Sequence, residues 1–263
     1  MATDRTDLGD RIKMYESAST GRAVRRGVPM VVRLDGRAFH TFTRGLARPY
    51  DKRLVDLMRD TAGELVSQFH AKFAYTHSDE ITLVWHIPED GVSEYPFGGR
   101  FHKLESILAG WASAWFTREL PHRISERANH LAVFDARAFT VPTLTEAYNT
   151  VLWRQIDCTK NATSMAAQHM FSHKLLHGKS GREMRAMLAA SGVNFDDYPS
   201  FFTRGTFARR VTVPMHLTPQ EISKIPADKV PTGPVYRSKI EYFDLPLRDT
   251  SDAFEQLFGV ERC

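Results

Sequence analysis

Residues 73 to 87 read Phe73-Ala74-Tyr75-Thr76-His77-Ser78-Asp79-Glu80-Ile81-Thr82-Leu83-Val84-Trp85-His86-Ile87. Two runs rich in β-branched and aromatic residues, Phe73–His77 and Ile81–Ile87, flank only Ser78-Asp79-Glu80, so an antiparallel hairpin is expected with Asp79 at or beside its tip. Upstream, Leu54, Val55, Leu57, Met58, Ala62, Leu65, Val66 and Phe69 recur at helical spacing from Asp51, a suitable N-cap, to about His70. Before that helix, Pro29-Met30-Val31-Val32-Arg33-Leu34 reads as a strand that stops at the turn-forming pair Asp35-Gly36. Downstream, a second helix is expected over Arg100–Leu120, its broad apolar face built from Leu104, Ile107, Leu108, Trp111, Trp115 and Phe116, and then a strand over Leu131–Phe134. The order strand, helix, strand, strand, helix, strand is the split βαβ arrangement of a ferredoxin-like sheet. The fold class expected is α+β: a ferredoxin-type antiparallel sheet with helices on one face and a helical C-terminal extension.

The remaining chain frames this core. Residues up to about Val28 read as an amphipathic lead-in with a basic patch at Arg22, Arg25 and Arg26; helices dominate Leu144–Ala190, and the last seventy or so residues mix short strands with Pro-rich connections. Residues 1–140 are taken as the core and 141–263 as a helical and mixed extension packed on it in one continuous unit. With 263 residues, 42% hydrophobic and 25% charged, the chain is large enough for an unassisted core and is neither disordered nor a disulfide-dependent mini-protein. The longest stretch without Asp, Glu, Lys or Arg, Asn161–His173, is short and partly polar, well below the ~18 apolar residues of a membrane span. Asp4, Asp7 and Asp10 stand where a signal peptide would be basic and then apolar, and two cysteines, Cys158 and Cys263, fit a reducing compartment. A cytoplasmic protein with no membrane partner is expected.

Lys and Arg exceed Asp and Glu by 35 to 31, and the excess is local. Lys160, Lys174, Lys179, Arg182 and Arg185 face a single anion, Glu183, in the segment from Thr159 to Arg185. Such a concentration suits a polyanion or a solvated helix face equally. Asp35 and Asp79 lie at ends of strands that neighbour one another in a ferredoxin-like sheet, so they can meet; two carboxylates beside a backbone carbonyl are suitable hard ligands for Mg²⁺, which takes its other ligands from water and substrate phosphate. His169, His173 and His177 fall on one helical stripe, but the Glu of His-Glu-x-x-His is missing, so a solvated or phosphate-facing stripe is expected rather than a zinc site. Cys158 is read as a buried thiol beside Trp153, since no histidine is placed by sequence to activate it. Trp111, Trp115 and Phe116 are read as core.

Four ordered motifs carry a resemblance: Arg33-Leu34-Asp35-Gly36-Arg37-Ala38-Phe39-His40, Ser78-Asp79-Glu80, Phe134-Asp135-Ala136-Arg137 and Trp153-Arg154-Gln155-Ile156-Asp157-Cys158. Over roughly the first 210 residues the chain resembles the tRNA-His guanylyltransferase family. The resemblance implies that residues 1–140 form a palm-like catalytic core, akin to that of polymerases, that adds nucleotides in the 3′-to-5′ direction to the 5′ end of tRNA. ATP first adenylylates the 5′-phosphate, and the 3′-hydroxyl of GTP or another nucleotide then displaces AMP. It further implies two Mg²⁺ ions on Asp35, Gly36 and Asp79, with Asp35 and Asp79 catalytic, and a homotetramer. Nucleotide-binding residues implied are Asp35, Gly36, Arg37, Ala38, Phe39, His40, Ser78, Asp79 and Lys103; Arg48, Arg137, Arg154, Asn161, Lys174 and Lys179 fall to tRNA or a second nucleotide.

Departures from the family pattern concern substrate selection. Asp157-Cys158 is followed by Thr159-Lys160-Asn161-Ala162 where the best-known members have His-Ile-Asn-Asn, Ala136 replaces a glycine, and Arg48-Pro49-Tyr50-Asp51 replaces Lys-Pro-Asn-Asp. These changes fit the guanylyltransferase-like branch associated with 5′-end repair. A palm-fold nucleotide cyclase and a non-catalytic RNA-binding protein are the alternatives: the first would not need the basic segment, the second would not need both carboxylates.

Overall fold

The computed structural model describes residues 3–226 and 229–260. Its elements run α1 (Thr3–Thr20), β1 (Met30–Gly36), α2 (Phe39–Phe42), α3 (Lys52–Phe69), β2 (Phe73–His77), β3 (Glu80–Trp85), α4 (Phe101–Arg123), β4 (Phe134–Thr140), α5 (Leu144–Met170), α6 (His173–Leu176), α7 (Gly181–Ala190), α8 (Ser200–Thr203), β5 (Thr206–Met215), α9 (Pro219–Ile222), β6 (Val235–Phe243) and α10 (Ala253–Phe258). The strands form one antiparallel sheet in the order β4-β1-β3-β2-β5-β6, whose first four positions are the ferredoxin-like core.

Alternation along the strands sorts side chains into two layers. Met30, Val32, Leu34, Ile81, Leu83 and Phe134 point to the face covered by α3 and α4, whose Leu57, Leu65, Leu104, Leu108 and Phe116 complete that core. Val31, Phe73, Tyr75, Val84 and Phe207 point the other way, under Val151 of α5 and Phe254 and Phe258 of α10. The palm's own helices therefore occupy one face, and the C-terminal extension covers the other.

Local signals set the element ends. The Asp51 carboxylate accepts from the Arg53 N–H at 3.0 Å and caps α3, which stops at His70 in the left-handed region. Ser78, φ +50°, turns β2 into β3 within two residues. No helix of the described residues is long and apolar enough to cross a membrane.

Four expectations need correction. The strand expected over Leu131–Phe134 begins only at Phe134, because the pairing pattern is the alternation Phe134, Ala136, Ala138 inward and not the apolar run; Leu131 is exposed. The lead-in α1 has no apolar face, and its Leu8, Ile12, Met14 and Tyr15 are all exposed. Trp111 lies at the surface, its edge on Phe69 and its indole N–H donating to Glu64, whereas Phe116 is buried among Phe39, Phe42 and Phe134. The histidine stripe is broken: α5 ends at Met170, and His173 starts a separate helix after the extended Phe171. Cys263 lies outside the described residues.

Candidate active site

The face of the sheet beneath α5 is apolar at one end and polar at the other. Where Val31 is followed at two-residue steps by Arg33 and Asp35, the neighbouring strands place Glu80 and Thr82 on one side and Asp135 and Arg137 on the other in register. The strand ends are tied together: the Gly36 N–H donates to the Asp79 carbonyl at 3.0 Å, and the Ser78 hydroxyl donates to the Asp79 carboxylate at 2.9 Å. Only glycine fits at 36, since a Cβ there would stand 2.5 Å from the Phe39 ring.

Both carboxylates are held above the usual range. Burial is the main cause for Asp79, with the Asp35 charge adding to it; for Asp35, burial acts first and the Glu80 and Asp135 charges add, against partial relief from Arg137. Arg137 stands 3.9 Å from Asp35 and 3.4 Å from Asp135. Two under-compensated carboxylates beside the Gly36 carbonyl form a donor set that fits a hard divalent cation. Among the described residues no group of three His, Cys, Asp or Glu side chains is gathered as a metal cage. An ion here would therefore take its remaining oxygens from water and substrate.

Behind Asp79 lies a buried charge network that the sequence did not reveal. Arg154 donates to Glu80 at 2.6 Å and to Asp157 at 2.9 Å, and Arg33 stands 3.9 Å from Glu80. The buried ring of His77 is 3.6 Å from Glu80. Burial opposes its protonation, but the Cys158 thiol and the Glu80 carboxylate outweigh that and push its pKa up to about 9. Cys158 is buried, as expected, but its neighbours are His77 and the Phe202 carbonyl, not Trp153, which is exposed. The only signal for this cluster was polar residues at strand positions 77, 80 and 82.

In front of Ser78 and Asp79 opens a cavity of about 410 Å³, walled by Phe39, Leu46, Pro49, Tyr50, Cys158, Ala162, Met165, Phe201 and Phe202 with His40, Arg48, His77 and Asn161 among its polar groups. Of the residues singled out by sequence, Asp35, Gly36, Ser78, Asp79 and Arg137 come together at the strand ends, and Phe39, His40, Arg48 and Asn161 reach the cavity. The Arg37 N–H is already donated to Val133 at 2.8 Å, and Ala38 holds the left-handed conformation that starts α2. Arg154 is buried and paired, so it is not a surface contact for a polyanion. Lys103 sits in the first turn of α4, whereas Ser113, ten residues or about 15 Å further along that helix, is what meets the Phe134 start of β4. It is not brought to the carboxylates. Lys174 lies on α6 and Lys179 pairs with Glu183 at 3.1 Å, away from the cavity. Thr159 also turns away, its hydroxyl donating to the Thr203 carbonyl at 2.9 Å, so of the altered motif only Asn161 and Ala162 line the cavity.

A family model described as Thg1, tRNAHis guanylyltransferase, matches residues 9–142, which span β1 to β4 and every strand-end carboxylate just described. The chain belongs to the Thg1 family. An uncharacterized protein, R259, of Acanthamoeba polyphaga mimivirus is 34% identical over 185 residues, 62% of this chain and 63% of that protein. The tRNA(His) guanylyltransferase of Schizosaccharomyces pombe is 27% identical over 191 residues, 67% of this chain and 71% of that one. The chain thus spans under two thirds of the viral relative and somewhat more of the yeast one. Two solved structures of bacterial tRNA(His) guanylyltransferase (Thg1)-like proteins cover 96% of this Thg1 family chain. One, in complex with ATP, has a TM-score of 0.79 at 29% identity over 100% of its length; the other, in complex with GTP, has 0.72 at 27% over 99%.

Proposed function

We propose that this Thg1 family member is a Mg²⁺-dependent nucleotidyltransferase that adds nucleotides 3′-to-5′ at the 5′ end of tRNA, as the guanylyltransferase-like branch does. The observation that carries the reading is the Asp35–Gly36–Asp79 junction at the mouth of a nucleotide-sized cavity. Residues 1–140 act as the palm and 141–263 as the extension that closes the cavity through Cys158, Ala162, Met165, Phe201 and Phe202. The protein works in the cytoplasm as a homotetramer.

Asp35, Asp79 and the Gly36 carbonyl would hold the Mg²⁺ ions. Bound there, Mg²⁺ stabilises charge on the attacking and departing phosphate oxygens. The apolar walls take the base of ATP or GTP and exclude water, while Arg48, His40 and Asn161 supply polar contacts at its rim. The turn into α2, Ala38, Phe39 and His40, takes the triphosphate side, and Arg137 neutralises charge beside Asp35. In the first step an oxygen of the tRNA 5′-phosphate attacks the α-phosphorus of ATP and pyrophosphate leaves. In the second, the 3′-hydroxyl of the incoming nucleotide attacks the activated 5′-phosphorus, loses its proton and releases AMP. The exposed cations Lys160, Lys174 and Arg182 follow the tRNA backbone.

The test mixes the protein with a 5′-truncated, 5′-monophosphorylated tRNA, ATP, the four nucleotides and Mg²⁺. A product longer at its 5′ end supports the reading. Nucleotide turnover with RNA omitted and no extension with RNA present would make the chain a cyclase and overturn it.

A further inference from the structure

Trp153 is more than half exposed, 54%, on the polar end of the α5 face, an unusual place for an indole. It is also held still. The Arg154 guanidinium lies 4.4 Å and the Arg33 guanidinium 5.5 Å from its ring centre, and both arginines are anchored on Glu80, Arg154 also on Asp157. An aromatic plate backed by two fixed cations keeps its outer surface presented.

Its position follows from the topology. Arg33 precedes Asp35 by two residues on one face of β1, a separation of about 7 Å, and Arg33 is the register partner of the exposed Arg137. Along α5, Trp153 comes first, then Arg154 and Asp157 over Glu80, then Cys158, Asn161 and Ala162 at the cavity. The Asp35–Asp79 junction therefore stands between two binding positions. One is a walled cavity that fits a single nucleotide. The other is an exposed aromatic shelf with cations beside it, which suits the end of a polymer.

We propose that Trp153 is the stacking platform for the terminal base at the 5′ end of the RNA, holding its 5′-phosphate toward Asp35 and Asp79. The inference rests on the proposed reaction, which needs a polymer end and a nucleotide on opposite sides of the same carboxylates. Stacking on an aromatic face is sequence-tolerant, as a substrate end whose identity varies requires. The exposed Arg137, on the strand beside Arg33, gives the shelf the charge that a phosphate needs.

The experiment measures binding of a 5′-monophosphorylated acceptor-stem duplex, and of the same duplex with an abasic 5′-terminal residue, to the full-length protein and to its Trp153→Phe and Trp153→Ala variants, with thermal melts of each. In the wild type the abasic end is expected to weaken binding about 5- to 100-fold, and Trp153→Ala to weaken the intact duplex by a similar factor. Trp153→Ala should then not distinguish the two duplexes, Trp153→Phe should restore most of the difference, and ATP affinity should stay unchanged in both variants. Equal affinity of the wild type for both duplexes overturns the platform, as does an equal fall in ATP and RNA affinity in Trp153→Ala. Normal RNA binding by Trp153→Ala with altered sedimentation would assign the indole to an interface between copies and also overturn it. Because the readout is binding, a chain that binds in this pattern yet extends no RNA would overturn the reaction and leave the platform standing.

Discussion

The backbone N–H of Gly36 bonds the carbonyl of Asp79 at 3.0 Å, fastening the end of β1 to the tip of the β2–β3 hairpin. This bond fixes the spacing of the two strand ends from which the carboxylates project, and the Ser78 hydroxyl then orients that of Asp79.

Asp35→Asn and Asp79→Asn are each expected to lower nucleotide addition by about 10³-fold or more, since each 1.36 kcal/mol of lost transition-state stabilisation is tenfold. Asp79→Asn should at the same time raise the melting temperature in Mg²⁺-free buffer. It removes a partly buried charge that Asp35 repels, and for the same reason Mg²⁺ should stabilise the wild type but not the variant. Extension assays and melts with and without Mg²⁺ check both halves; near-normal extension by either variant would end the metal assignment.

Gly36→Ala places a methyl group against the Phe39 ring, at 2.5 Å before any relaxation. A cost of about 1–3 kcal/mol is expected from overpacking, together with weaker nucleotide affinity, because the Phe39 turn must shift. Denaturant unfolding and nucleotide titration read the two effects.

Arg154→Met leaves Glu80 buried with only His77 and the more distant Arg33 near it, and is expected to cost about 3–5 kcal/mol. Glu80→Gln combined with Arg154→Met should recover part of that loss. Stabilities of the two single variants and the double variant form the cycle; strict additivity would show that the pair is not coupled.

Asp51 is held down to about 2, first by its side-chain bonds from Arg53, with backbone donors at Ala47 and Arg53 adding. A carboxyl with a depressed folded pKa stabilises the protein above its unfolded value near 4 and loses that contribution as pH falls toward 2. Asp51→Ala should therefore cost about 0.5–2 kcal/mol at pH 7, the usual range for a lost N-cap. The gap between wild type and variant should close between about pH 4 and pH 2. Melts across that range measure it.

Replacing Lys174, Lys179 and Arg182 together by Ala should weaken tRNA binding and flatten its salt dependence. Lys179 is already neutralised by Glu183, so the slope of log K against log salt is expected to fall by about two contacts' worth rather than three. An unchanged slope would leave the basic segment a solvated face.

The sequence by itself determined the palm. Short runs rich in β-branched and aromatic residues in Met30–Leu34, Phe73–His77 and Ile81–Trp85, helical spacing from Leu54 to Phe69, and a hairpin with a very short connection are local signals, and they placed Asp35 and Asp79 within reach of each other. What lay beyond local pattern was decided only in three dimensions. Arg154 and Glu80 are 74 residues apart, and nothing in either neighbourhood marks a buried ion pair. His77 looks like any strand residue until Cys158 of α5 closes over it, and nothing beside Trp153 in the chain announces that Arg33, on a distant strand, lies against its ring. Lys103 and Arg154 show the converse, since matching a motif says which residue stands at a position but not which end of a helix or which side of a sheet it occupies. Periodicity is set by each residue's own neighbours along the chain. The pairing of charges and the walls of the cavity are set by where α5 crosses the sheet, and only the packing of the two cores fixes that crossing.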